Sequence, residues 1–269
     1  MARVGIYGKH QGFGDFISAG MPDGAEQALT LWLNGSLSTV RQGLGDAWQG
    51  AFDTAPTLRF WIGGDVMPGG TPLRGVMAPS RDRVGRRHPL FLVAPAGGAP
   101  CPAVDASQGF HDVAERHLRE ALMGNVASAR DISDHWSGDP TLAPADGTPM
   151  EAAWWADNTD AAPEVLWSEV AGTEARAASS LRSYWWSGAL PARALACPGL
   201  PAADALHWLL TGAPPGVPPV VEPAAPEAAV TLPASPVAAP PSRSSFIPDG
   251  AIDPQSASPF DALTDRTTG

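Results

Sequence analysis

Leu58-Arg59-Phe60-Trp61-Ile62, Leu73-Arg74-Gly75-Val76-Met77 and Pro89-Leu90-Phe91-Leu92-Val93 are three short apolar runs, each bounded by glycine or proline. Runs of this length, closed off by turn formers, predict strands. Upstream, Arg3-Val4-Gly5-Ile6-Tyr7 is a further strand candidate that enters a glycine-rich turn. Between it and the three runs, Leu29, Leu33, Leu37, Val40, Leu44 and Trp48 recur every three or four residues. That is one helical stripe, with Asp23 and Glu26 at capping-box spacing before it and Gly35 or Gly43 as places to break. Downstream, Phe110, Val113, Ala114, His117, Leu118, Ala121 and Leu122 mark a second amphipathic helix. Ser183–Trp186 and Ala192–Ala196 read as two more strands, and a helix over Ala202–Leu210 closes the core. Strands interleaved with long helices predict an α/β domain whose sheet is covered on both faces. The sequence has no internal repeat.

A chain of 269 residues is long enough for one large domain or two small ones. Seventeen basic residues against 28 acidic ones give a net charge of −11. A nucleic-acid binder needs a basic footprint to displace counterions from phosphates, so that class is disfavoured. No apolar run reaches the roughly 18 residues a bilayer span requires. The N-terminus has no apolar stretch or cleavage site of a secretory signal. Cys101 and Cys197 are too few for a disulfide scaffold, and a reducing cytoplasm is the expected compartment. All ten tryptophans fall between Trp32 and Trp208. Residues 1–212 are therefore read as the α/β domain. Residues 213–269, rich in Pro, Ala and Val, are read as a disordered linker and polar tail, with Phe246 and Phe260 as its aromatics.

Motifs of catalysis are hard to find. Gly5-Ile6-Tyr7-Gly8-Lys9-His10 fails as a phosphate loop, because that loop needs four residues between its glycines and Ser or Thr after the lysine. Gly12-Phe13-Gly14 lacks the third glycine of a dinucleotide fingerprint. His111 and His117, six apart, cannot share a helix face as a zinc pair does. The pairs His111/Glu115 and Asp131/His135 have i+4 spacing, but two-residue matches arise by chance. There is no Gly-x-Ser-x-Gly elbow, and neither cysteine has a nucleophile's setting. No catalytic residue, metal ligand or cofactor is assigned.

Two polar clusters stand out. In Gly8-Lys9-His10-Gln11-Gly12-Phe13-Gly14-Asp15-Phe16, Lys9 is the only lysine of a chain with sixteen arginines. A lysine supplies a compact ammonium where a guanidinium fork would not fit. Between two predicted strands, Arg81, Asp82, Arg83, Arg86 and Arg87 put four arginines in seven residues. Such a loop either grips a phosphorylated or acidic partner through forked hydrogen bonds, or pairs internally with Asp15 and Asp82 to fix loops beside the sheet. Residues 131–175 form a third feature, with ten acids, no Lys or Arg, and Trp136, Trp154, Trp155 and Trp167. This is either a solvated acidic flank pinned by its tryptophans or a partner-binding face.

The opening Gly5-Ile6-Tyr7-Gly8-Lys9, with Gly14-Asp15-Phe16-Ile17 and Pro22, resembles the start of the TagF (ImpM) family of type VI secretion-associated proteins. Further matches follow in order. They are Leu31-Trp32-Leu33, Ala55-Pro56-Thr57-Leu58-Arg59-Phe60, Gly75-Val76-Met77-Ala78-Pro79-Ser80 and Asp82-Arg83-Val84-Gly85-Arg86. After these come Tyr184-Trp185-Trp186, Pro191-Ala192-Arg193-Ala194-Leu195 and Pro198-Gly199-Leu200-Pro201. The chain departs from the family pattern at Gln11, where proline is common, and at Phe13 and Ala19, in neighbourhoods that often carry arginine.

The resemblance implies a three-layer α-β-α sandwich with a central mixed sheet. It also implies a cytoplasmic, non-catalytic, post-translational repressor of type VI secretion, associated with the forkhead-associated scaffold Fha and a threonine kinase/phosphatase pathway. Two other classes stay open. One is a phosphoester-processing enzyme that uses Lys9, Asp15 and the Arg81–Arg87 loop as a charge clamp; the other is a structural component of the apparatus.

Overall fold

The computed structural model of the chain describes residues 3–124, 128–145, 175 and 178–213. Seven strands form one sheet: β1 (Gly5–Lys9), β2 (Phe16–Ala19), β3 (Leu58–Ile62), β4 (Leu73–Ala78), β5 (Leu90–Pro95), β6 (Arg182–Ser187) and β7 (Ala194–Pro198). Their order is β2-β1-β5-β4-β3-β6-β7. The three runs that anchored the sequence reading, β3, β4 and β5, lie in its middle.

The sheet is buried on both faces, and side-chain alternation decides which layer each residue joins. From β5, Phe91 and Val93 enter one core while Leu90, Leu92 and Ala94 enter the other. This is why the run reads as continuously apolar instead of alternating. The first core is roofed by helices α1 (Ala25–Leu44), α2 (Trp48–Asp53) and α5 (Ala203–Thr211). The second is roofed by α3 (Gly109–Met123) and α4 (Ala129–Ser137). The expected three layers are present.

Several details differ from the sequence reading. Every strand pairing is antiparallel, so the sheet is not mixed. Short connections join β1 to β2, β3 to β4, β4 to β5 and β6 to β7, and such links cannot produce parallel neighbours. The first strand begins at Gly5, two residues later than expected. Phe16–Ala19, hidden among glycines in the sequence, pairs with it as an edge strand.

The predicted stripe of α1 does face the core. Yet Asp23 does not cap the helix, because Gly24 occupies the N-cap in a left-handed conformation without a side-chain bond. Glu26 instead accepts a hydrogen bond from Ser18 Oγ on β2. The helix runs through Gly35 and Gly43 and breaks at Gly45, where a 3-10 turn leads into α2. The flank starting at Asp131 opens as helix α4, capped by Ser128, with Ile132, Ser133 and Trp136 buried.

Two interactions fix the layers. Arg59 of β3, only 6% exposed, reaches α3 through Glu115 at 2.8 Å and Asp112 at 2.7 Å, and it donates to Gln108 at 2.8 Å. On β1, Gly8 has φ of +132°, and a Cβ there would collide with the carbonyl oxygen of Pro89. Only glycine lets β1 approach the end of the Arg81–Arg87 loop this closely.

Cys101 and Cys197 are both free thiols. Among the described residues no helix is long and apolar enough to cross a membrane. The expected linker and tail lie outside the described residues from position 214 onward.

Candidate functional site

The two polar clusters meet where β1 ends and where the loop from β4 to β5 returns. Both segments leave adjacent strands at the same edge, so antiparallel pairing of β1 with β5 brings them together. Asp82 is the centre. Its Oδ2 accepts Lys9 Nζ at 3.0 Å and Arg86 Nε at 2.6 Å. Its Oδ1 accepts the backbone N–H of Val84 at 3.1 Å and of Arg86 at 2.9 Å. Burial opposes ionisation of this carboxyl. The bonds from Lys9 and from the Arg86 backbone and side chain outweigh it and hold Asp82 far below the usual carboxylate range.

Further bonds lock the loops together. Ser80 Oγ donates to the Lys9 carbonyl at 2.6 Å, Arg83 N–H to the Phe13 carbonyl at 2.8 Å, and Arg86 Nη2 to the Gly14 carbonyl at 2.6 Å. Arg87 makes a forked pair with Asp53 at the end of α2, with bonds of 2.8 and 2.7 Å. That fork lowers the Asp53 pKa and raises that of Arg87.

His88 follows, 5% exposed, its ring 4.7 Å from that of Phe16 in an edge contact and 6.0 Å from that of Tyr7. Burial, opposed by the bond to the Pro89 carbonyl and reinforced by Lys9, pushes its pKa down to about 4. Phe16 itself is 44% exposed, and Lys9 Nζ lies 5.1 Å from its ring centroid.

The expected residues therefore divide. Lys9, Phe16, Asp82, Arg86 and Arg87 come together. Asp15 does not join the ion pairs: it is exposed and its Oδ1 accepts the N–H of Phe16. The expected pairing of the arginines with Asp15 is thus replaced by Asp53, which sits 34 positions before its partner and carries no local signal. Arg81 and Arg83 are exposed, and neither forms an ion pair within 4 Å among the described residues.

Trp136 is not a surface contact. It is 1% exposed in the core beneath α4, in the opposite layer. Trp154, Trp155 and Trp167 lie outside the described residues. The three departures from the family pattern make internal contacts: Gln11 donates to the Leu122 carbonyl at 2.7 Å, and Phe13 and Ala19 pack on the α3–α4 core.

The histidine pairs singled out by spacing have other partners. His111 Nε2 lies 3.3 Å from the Phe60 carbonyl while Glu115 pairs with Arg59, and His117 bonds Asp139 at 2.9 Å. Among the described residues no three His, Cys, Asp or Glu side chains gather as metal ligands do. What the arrangement does is rigidify a basic loop against β1 and α2 while leaving Arg81, Arg83 and Phe16 open to contact.

Residues 5–134 match the model of the TagF N-terminal domain, described as type VI secretion system-associated. The crystal structure of PA0076 from Pseudomonas aeruginosa PAO1 superposes with a TM-score of 0.63 at 29% sequence identity. The match covers 80% of this chain and 97% of that one. No curated protein sequence matches the chain.

Proposed function

We propose that the chain, whose residues 5–134 match the TagF N-terminal domain, is a type VI secretion-associated protein of that family and a non-catalytic, post-translational repressor of the secretion apparatus. It works in the cytoplasm by occupying a partner's surface, and the partner is a forkhead-associated protein of the Fha type acting within a threonine kinase/phosphatase pathway.

One observation carries the reading. The charges that a phosphoester enzyme would aim at a substrate are committed to one another, Lys9 and Arg86 to Asp82 and Arg87 to Asp53. Asp15, the other member of the imagined clamp, stands apart. The exposed remainder of the loop, Arg81 and Arg83 beside Phe16, has the composition of an interface that meets an acidic or phosphorylated surface.

The test is capture of the Fha-type protein by the wild-type chain and by Arg81→Glu plus Arg83→Glu. These two positions are chosen because neither guanidinium supports the loop, whereas Arg86 and Arg87 do. Circular dichroism checks the fold. Loss of capture by a folded double variant supports the arginine loop as the contact; undiminished capture removes it.

A further inference from the structure

Between α1, α2 and the Arg81–Arg87 loop lies a cavity of about 500 Å³ walled by Lys9, Arg41, Trp48, Arg86, Arg87 and His88. Its wall carries four cations and no carboxylate. Asp82 and Asp53, the two acids these cations pair with, leave two positive charges in excess. Arg41, on the exposed side of α1, has no ion pair among the described residues.

The wall also holds a buried polar atom without a partner. His88 donates Nδ1–H to the Pro89 carbonyl and has nothing bonded to its buried Nε2. Trp48, 8% exposed, forms part of the same wall. Buried polar groups are normally satisfied, so the His88 Nε2, an acceptor when Nδ1 carries the proton, indicates an absent donor such as a hydroxyl or amide of the ligand beyond its phosphoryl oxygens.

We propose that this groove is a binding site for a phosphoryl group. An excess of two positive charges matches a phosphate dianion better than a single carboxylate. A guanidinium offers the forked donors that phosphate oxygens accept, and Arg41 is the one wall guanidinium with both forks free. Asn34 and Gln49 on the same wall add amide donors. The volume exceeds that of phosphate alone and falls within the range of small-molecule sites, so the phosphoryl group anchors a larger ligand. That ligand is either a phosphorylated small molecule or a phosphorylated side chain.

The inference goes beyond repression and is tested apart from it, on the purified full-length chain. Titration calorimetry measures inorganic phosphate, phosphothreonine and adenosine monophosphate at constant ionic strength. The wild type is compared with Arg41→Gln and with Arg116→Gln, an exposed arginine on α3 in the opposite layer. Saturable phosphate binding that weakens about tenfold in Arg41→Gln, the loss of one charge-assisted contact, and not in Arg116→Gln supports the site.

Unaltered unfolding midpoints in both variants keep folding out of the comparison. Tighter binding of phosphothreonine than of adenosine monophosphate assigns the source to a modified side chain, and the reverse order assigns it to a small molecule. No saturable binding, or equal weakening in both variants, overturns the proposal.

Discussion

Acidification between pH 7 and pH 5 destabilises this fold through two buried histidines. His88 and His111 titrate near 6.5 in an unfolded chain and at about 4 in the folded one, in each case because burial disfavours the imidazolium. A base with a depressed folded pKa binds fewer protons when folded, so stability rises with pH across that window. It is fully present above about 6.5 and is lost as pH falls toward 4. Each ring costs the folded state about 3 kcal/mol once pH lies below both values, and about 2 kcal/mol of that is lost by pH 5. Together the two rings remove about 4 kcal/mol, a large share of the 5–15 kcal/mol typical of a domain.

The carboxylates of Asp53, Asp82 and Asp139 act in a lower window. Their folded pKa values are depressed below 3.8, so their contributions persist to pH 5 and fade beneath it. Urea unfolding at pH 7, 6 and 5 separates the two sets. His88→Asn keeps a donor for the Pro89 carbonyl, and His111→Gln keeps one for that of Phe60. The double variant starts less stable but loses about 4 kcal/mol less than the wild type over the interval. An identical pH slope in both proteins would refute burial of the two neutral rings.

Two further substitutions probe the site and the core. Asp82→Asn removes the carboxylate shared by Lys9 and Arg86; amide hydrogen exchange at Val84 and Arg86 speeds up and the urea midpoint falls, whereas unchanged protection would mean that Asp82 does not organise the loop. Trp136→Ala empties the core beneath α4 and costs about 3–5 kcal/mol. A loss of Fha-type capture at full stability would instead return Trp136 to a contact surface.

The middle of the fold was legible because its signals are local. Continuous apolar runs at β3, β4 and β5 and the stripe of α1 report burial directly, and both faces of the sheet are indeed covered. Strand β2 was missed because it is short, lies at an edge and sits between Gly14 and Gly20, which advertise a turn. Pairing sense was missed although the connections carry it, since the links from β1 to β2, β3 to β4, β4 to β5 and β6 to β7 are all too short for a crossover. Trp136 follows the reading of a flank pinned by its tryptophans and not that of a partner-binding face, but the helix that carries it was hidden by the acidic composition.

At the site, the clusters around Lys9 and Asp82 were visible as compositional oddities, a lone lysine and a dense set of arginines. Their partner Asp53 and the cavity neighbours Arg41 and Trp48 were not, since α1 and α2 meet this loop only through tertiary packing. The TagF motifs linked these segments in order, but they do not specify which carboxylate meets which cation.

Deleting the gene in its host and measuring export by the type VI apparatus tests repression most directly. A restraining protein predicts that export rises in the deletion strain and returns to its starting level when the gene is restored. Export that falls or disappears on deletion would make the chain a working part of the machine and would contradict the account.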